Sequence, residues 1–176
     1  MKVKELKIVF SEEQIRRRVA ELAAEIDALY GDEPLVAVCV LKGACIFFAD
    51  LVRALKKPNI ELAFVRLSSY GMEDASTRTV TFKKDVDIAL QGRHVLIVED
   101  IIDTGHTMDF LLRQFAARGA KSLRLAALVD KRERREVDVT TDFAGFALDR
   151  GFIVGYGLDY AERYRQLPAV YEIIPE

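Results

Sequence analysis

The sequence is poor in several things at once, and each shortage removes a class of protein. Only two cysteines occur in 176 residues, Cys39 and Cys45, six apart and both in apolar surroundings. No second pair exists to build a metal site or a disulfide framework, so both read as buried thiols of a reducing compartment. The four prolines, Pro34, Pro58, Pro168 and Pro175, fall at element edges or near the end, and no repeat, linker or low-complexity segment interrupts the chain. No apolar run approaches the roughly 20 residues that a spanning helix needs. The opening MKVKELKIVFSEEQI turns acidic before any signal-like apolar region. The expected location is cytoplasmic, with no membrane partner. An excess of one charge is missing too: 26 Lys and Arg stand against 28 Asp and Glu, a net charge of −2. That balance leaves no global field to recruit nucleic acid. The common nucleotide-loop fingerprints G-x-G-x-x-G and G-x-x-x-x-G-K-[ST] are also absent.

What is present is apolar and periodic. At 51% hydrophobic residues, residues 1–176 suit one compact domain with a core that needs no staples. Ser11 with Gln14 three residues on is a capping-box pattern, and Ile15, Val19, Leu22, Ala23, Ile26 and Leu29 follow at helical spacing, which predicts a helix over 12–30. Gly31, Asp32 and Pro34 stop it. LVAVCVL then reads as a strand buried on both faces, the mark of a parallel sheet. Lys42-Gly43 breaks that run, ACIFFADLVRALKK resumes helical spacing up to Pro58, and IELAFVRL supplies another strand. After the polar SSYGMEDASTR, residues 79–84 read as a short extended arm. Then come strand HVLIVED, a helix from about 107 to 118 closed by Gly119, and strand LRLAALV. The expected fold is α/β, a mainly parallel central sheet flanked by helices, with ligands at the carboxyl ends of the strands. Beyond Asp130 the alternation fails, and a small C-terminal/N-terminal lobe, formed mainly by about residues 130–176, reads as a hood over the ligand edge.

The chemistry concentrates in VLIVEDIIDTGHTM, residues 95–108. An apolar strand delivers Glu99 and Asp100 to its end, where adjacent carboxylates can accept from a vicinal diol or hold Mg²⁺ through its water shell. Asp103 lies beyond the strand tip, where a carboxylate can exchange a proton with a ligand. Thr104, Gly105, His106 and Thr107 then open a helix, with hydroxyls and a residue lacking Cβ where backbone approaches an oxyanion. Each residue alone is also what an ordinary strand-to-helix turn contains; the conjunction is what carries the reading. His106 reads as solvent-facing, and Arg132, Arg134 and Arg135 of the KRERR cluster as a solvated basic turn.

The string resembles the phosphoribosyl-diphosphate signature of the type I phosphoribosyltransferases: apolar strand, two acids, two apolar residues, Asp, Thr, Gly, any residue, Thr. VLKGACIFFADL is similar to the first active-site loop of the hypoxanthine-guanine branch, SSYG to the start of its mobile loop, and LVDK with FIVGYGLDYAERYRQLP to its purine-binding hood. The likeness runs from about residue 5 to residue 173. It implies a purine-salvage enzyme that converts hypoxanthine, and guanine, with 5-phosphoribosyl 1-diphosphate into the 5′-mononucleotide and diphosphate. It further implies that Glu99 and Asp100 bind the ribose hydroxyls with Mg²⁺, and that Ile102, Asp103, Thr104, Gly105, His106 and Thr107 form the 5′-phosphate loop. Asp103 would also act as general base at purine N7. Lys131 would donate to the 6-oxo group, Phe152 stack on the purine and the Ile153 backbone read its edge. Asp159 would sit beside the purine and help hold a second Mg²⁺. Lys42, Gly43 and Arg165, with Ser69 and Tyr70 of a lid over residues 69–78, would contact diphosphate.

The first loop departs from the family pattern at Ala44, where relatives often carry a second Gly. Two other readings stay open on sequence: a xanthine-preferring relative, and a nucleic-acid-binding regulator that senses phosphoribosyl diphosphate, against which the charge balance speaks. The family also implies a homodimer or homotetramer. The apolar residues Ile46, Phe47, Phe48 and Leu51 exceed one helix stripe and read as a surplus for such an interface.

Overall fold

A computed structural model describes residues 3–71 and 78–176. Helix α1 (Glu12–Tyr30) begins where the capping box predicts: Ser11 Oγ accepts from the Gln14 amide at 3.2 Å and the Gln14 side chain accepts from the Ser11 amide at 2.8 Å. Its buried stripe is Ile15, Val19, Leu22, Ala23, Ile26 and Tyr30. Leu29, expected in that stripe, is 53% exposed, because the turn closes with Tyr30, four residues after Ile26, facing the core.

Strands β2 (Leu35–Leu41), β3 (Ile60–Gly71), β4 (Arg78–Lys84), β5 (His94–Ile102), β6 (Ser122–Lys131) and β7 (Phe143–Leu148) form a sheet of order β4-β3-β2-β5-β6-β7. Only the β3–β4 pair is antiparallel. The period-2 rule divides β2 cleanly between two faces. Leu35, Ala37 and Cys39 pack with α1 and α2 (Cys45–Ala54), while Val36, Val38 and Val40 pack with α3 (His106–Ala117). Each large apolar side chain so buried contributes about 1.5–3 kcal/mol. Phe47, Phe48 and Leu51 are spent this way inside the chain's own core, so the interface surplus read from the sequence is not at the surface. Helix α2 also ends at Ala54, four residues short of Pro58, where Leu55 turns extended.

Two further differences concern the polar stretch and the N-terminus. Strand β3 continues through Ser69, Tyr70 and Gly71, which pair with Val80, Thr79 and Arg78 of β4, so the start of the expected lid is ladder. The rest of that lid lies outside the described residues. The first residues form β1 (Val3–Phe10), for which the sequence pattern predicts no element. It pairs with β9 (Val170–Pro175), which pairs with β8 (Ile153–Val154), giving a second, antiparallel sheet of order β1-β9-β8. The hood is therefore tied together from both ends of the chain.

The connection from β2 through α2 to β3 runs to one side of the sheet, and that from β5 through α3 to β6 to the other. Strands β2 and β5 are neighbours, so their carboxyl ends flank the switch point where a parallel sheet leaves a crevice. No helix among the described residues is long and apolar enough to cross a membrane.

Candidate active site

Strand β5 is buried from Val95 through Glu99 and surfaces only at Asp100 and Ile101. Glu99 is only 8% exposed, and its Oε1 accepts from the Asp100 amide at 2.9 Å. Asp100 Oδ1 accepts from the Ile101 amide at 2.8 Å. Burial, and then the Asp100 charge, raise the Glu99 carboxyl well above its ordinary range. Two such carboxylates suit Mg²⁺, which keeps several waters and takes its other ligands from substrate oxygens. Among the described residues no group of three His, Cys, Asp or Glu is placed to hold a metal unaided, so Asp159 does not join this pair.

The chain beyond the acids wraps a cavity of about 170 Å³, lined by residues 99–105 with Thr107 and Met108. Gly105, at φ 92°, is the N-cap of α3, and no side chain caps that helix. The free amides of its first turn and the positive end of its dipole therefore face the cavity, as anion sites require. A Cβ on Gly105 would strike the Val137 carbonyl. Asp103 Oδ1 is buried with no hydrogen-bond partner, while Oδ2 lies 3.4 Å from Arg134 Nη1. His106 does not simply face solvent: its Nε2 lies 2.8 Å from Glu136 Oε2.

Two glycine contacts stack the first loop and the hood on this strand end. A Cβ on Gly43 would overlap the Asp100 carboxylate, with Cγ at 2.6 Å, and one on Gly157 would strike the Gly43 carbonyl. The Leu41–Lys42 peptide just before is cis. Lys42 Nζ pairs with Glu162 Oε2 at 3.0 Å, and the same oxygen lies 3.4 Å from Arg165 Nη2. Arg165 also binds Asp159 Oδ1 at 2.7 Å and donates to the Gly157 carbonyl at 2.8 Å. So Lys42, Gly43, Asp159 and Arg165 do converge, through Glu162, a residue that no sequence motif singles out.

Across the sheet, Ile102 is in register with Asp130, which places Lys131 one residue beyond, at the end of β6. Lys131 is 9% exposed, with Nζ 3.8 Å from Glu133. Phe152 is 49% exposed, and its ring stands at 87° to that of Tyr160 with centroids 5.5 Å apart. Half of its surface is thus open to a stacking partner. Ile153 follows in β8, in register with Glu172. Tyr156, by contrast, is core: its hydroxyl donates to Asp50 at 2.7 Å, and burial raises its pKa. Ser69 and Tyr70 lie at the far end of β3.

Two further residues, Cys45 and Arg135, sit otherwise than the sequence pattern predicts. Cys39 is buried, which pushes its thiol up to about 12, but Cys45 at the start of α2 is exposed, since the helix stripe passes through Phe47 and Phe48 instead. Arg135 is not a solvated member of a basic turn; its side chain is 15% exposed and is hydrogen-bonded throughout. Charge clusters such as KRERR give no sign of which member turns inward. A larger cavity of about 500 Å³ lies between α1, α2, Tyr156 and residues 166–168, and none of the site residues expected from the sequence lines it.

The phosphoribosyl transferase domain family matches residues 6–161. The hypoxanthine-guanine phosphoribosyltransferase of Bacillus subtilis is 45% identical over 164 residues, 93% of this chain and 91% of that protein. The enzyme of the same name from Aquifex aeolicus is 46% identical over 171 residues, 97% and 96% of the two chains. Among solved structures, a hypoxanthine-guanine phosphoribosyltransferase from Bacillus anthracis superposes with a TM-score of 0.90 at 40% identity, over 99% of this chain and 100% of that one. A motif-bearing cavity at the switch point, within a likeness of this extent, shows that the chain belongs to the phosphoribosyltransferase family, in its hypoxanthine-guanine branch.

Proposed function

We propose that this chain transfers the phosphoribosyl group of 5-phosphoribosyl 1-diphosphate to N9 of hypoxanthine and guanine, with Mg²⁺, releasing diphosphate and the 5′-mononucleotide. The observation that carries this reading is one cavity in which an acid pair, buried Glu99 and half-buried Asp100, adjoins the uncapped N-terminus of α3. The 5′-phosphate takes the amides of residues 103–107, and the ribose hydroxyls donate to Glu99 and Asp100. Lys131 donates to the purine 6-oxo group, Phe152 stacks on the ring, and the Ile153 backbone reads its edge. As the N9–C1′ bond forms and the bond from C1′ to diphosphate breaks, Asp103 takes the proton from N7; its buried, unpartnered Oδ1 is an acceptor in waiting. Glu99 and Asp100 would hold Mg²⁺, and Asp159 would help to hold a second ion, which when bound would supply charge stabilisation for the departing diphosphate. Lys42, Arg165 and the Gly43 backbone receive that leaving group, with Ser69 and Tyr70 on the side of the lid. As a family member the chain is further read as a homodimer or homotetramer, which sedimentation at micromolar concentration checks.

A turnover panel of hypoxanthine, guanine, xanthine and adenine, followed by absorbance with Mg²⁺ present, tests the substrate class. Turnover of the 6-oxopurines without adenine is expected, and a dominant xanthine rate would move the chain to the xanthine-preferring reading. Asp103→Asn should lower kcat by about 10²–10⁴-fold, the range for a general base. Unimpaired turnover in that variant would remove Asp103 from the role.

A further inference from the structure

We infer that Arg135 is a positioning residue of the transfer reaction, orienting the backbone that carries both the general base and the phosphate-binding amides; this rests on the reading of Asp103 and the α3 loop given above. The Arg135 guanidinium contacts five acceptors in the turn-and-loop region. Nε donates to the Asp103 carbonyl at 3.0 Å. The two N–H groups of Nη2 are shared among the Ile102 carbonyl at 3.2 Å, the Lys131 carbonyl at 3.2 Å and Asp130 Oδ1 at 2.5 Å, and Nη1 donates to the Val139 carbonyl at 3.3 Å. Asp130 is itself 4% exposed, so this is a charge-assisted pair shielded from water.

The partners matter more than their number. The Thr104 carbonyl, next in line, accepts from the amides of Glu136 and Val137 at 2.9 and 3.0 Å. Three consecutive carbonyls, those of Ile102, Asp103 and Thr104, are thereby all drawn toward the 132–139 turn. In a planar trans peptide the amide points opposite to the carbonyl. The amides of Asp103, Thr104 and Gly105 therefore point away from that turn, on the side where the cavity lies, and no residue of 132–139 lines that cavity. The clamp sets the polarity of the loop: oxygens outward, N–H groups toward an anion. It also ties the Lys131 carbonyl to that of Asp103, so the proposed purine donor and purine base share one anchor.

A planar fork with donors on three nitrogens reaches these acceptors together, whereas an ammonium cannot. Arg135→Lys and Arg135→Gln should both lose about 100-fold in kcat, the scale of a displacement near 1 Å at reacting groups. KM for phosphoribosyl diphosphate should rise, and KM for the purine change less. Because Arg135 touches the Asp103 carbonyl and not its carboxylate, the acidic limb of the kcat/KM profile should stay in place. A purely electrostatic role predicts otherwise: loss of a cation would move that limb to higher pH. Arg132→Gln removes an equal charge from the same turn, where Arg132 reaches Asp130 from a 77% exposed position, and should keep turnover within about twofold.

Turnover is measured below the thermal midpoint of each variant, with circular dichroism matched to the wild type. Millimolar guanidinium added to Arg135→Ala supplies the missing fork without altering the chain, and partial rescue is expected. Wild-type turnover with Arg135→Gln unimpaired overturns the inference alone, as does an acidic limb that moves or an absence of rescue. A wild type without purine transfer overturns the functional reading with it.

Discussion

At the residue scale, the site is built from groups that are poorly satisfied until a ligand arrives. Glu99 is the clearest case, buried beside Asp100 and held well above its ordinary value near 4.5, first by burial and then by its neighbour's charge. A carboxyl whose folded pKa is raised favours the protonated folded state. Its contribution is fully present below the unfolded value and is lost as pH rises through the folded one. The ligand-free chain should therefore lose stability between about pH 4.5 and its raised value, and Glu99→Gln, neutral throughout, should not lose this part. Every tenfold weakening of the carboxyl's acidity on folding corresponds to about 1.4 kcal/mol. At neutral pH the variant should melt roughly 2–4 °C higher for each kcal/mol recovered, while transfer activity falls sharply. Thermal scans of both proteins from acid to neutral pH, without ligand, check the sign; a variant that melts lower at neutral pH would refute the strain at Glu99. The sequence made the acid pair and Asp103 legible because a strand end followed by small residues is local information. It did not make Arg135 legible, because which arginine of KRERR turns inward is decided by carbonyls about 30 residues earlier in the chain.

At the element scale, legibility followed periodicity. Helix α1 and the two-faced strands β2, β5 and β6 carry strong local patterns, and the structure has them at or near the expected bounds. Strand β1 has a burial pattern without clean alternation, because it is an outer strand covering β9, and so its sequence offers little to read. Its role is visible only once the pairing is known. Strand β1 contributes one edge of the sheet whose other edge is β8, and Phe10 stacks on Phe146 of β7 with centroids 4.1 Å apart. This brace holds Phe152 and Ile153, the proposed purine face, against the main sheet. Removing residues 3–10 should therefore raise KM for the purine roughly tenfold, equivalent to about 1.4 kcal/mol, with a smaller change for phosphoribosyl diphosphate. Initial-rate measurements with each substrate varied in turn check the split, and equal rises in both would place the brace's effect elsewhere.

At the scale of the whole molecule, the two sheets meet through charge as well as through the Gly43–Gly157 contact. Glu162 of the hood side bridges Lys42 of the first loop and Arg165, the two cations proposed to receive diphosphate. Its carboxyl is held below the usual range chiefly by Lys42, so it is ionised at neutral pH. The Lys42–Glu162 pair is exposed, at 50% and 64% side-chain accessibility, and such pairs contribute little to stability and weaken in salt; Arg165, 24% exposed, also pairs with Asp159 at 2.7 Å. A diphosphate carries more negative charge than one carboxylate and can displace it at small cost. On the proposed roles of Lys42 and Arg165, Glu162 would act as an internal competitor, neutralising two cations until substrate arrives. Glu162→Gln should lower KM for phosphoribosyl diphosphate a few-fold at low ionic strength and leave thermal stability nearly unchanged, since no buried partner is abandoned. The gap should close at about 1 M salt, where the screening length falls to about 3 Å. Measuring KM for both proteins across that salt range decides the matter: an unchanged or higher KM in the variant at low salt would mean that Glu162 helps to build the diphosphate site instead of competing for it.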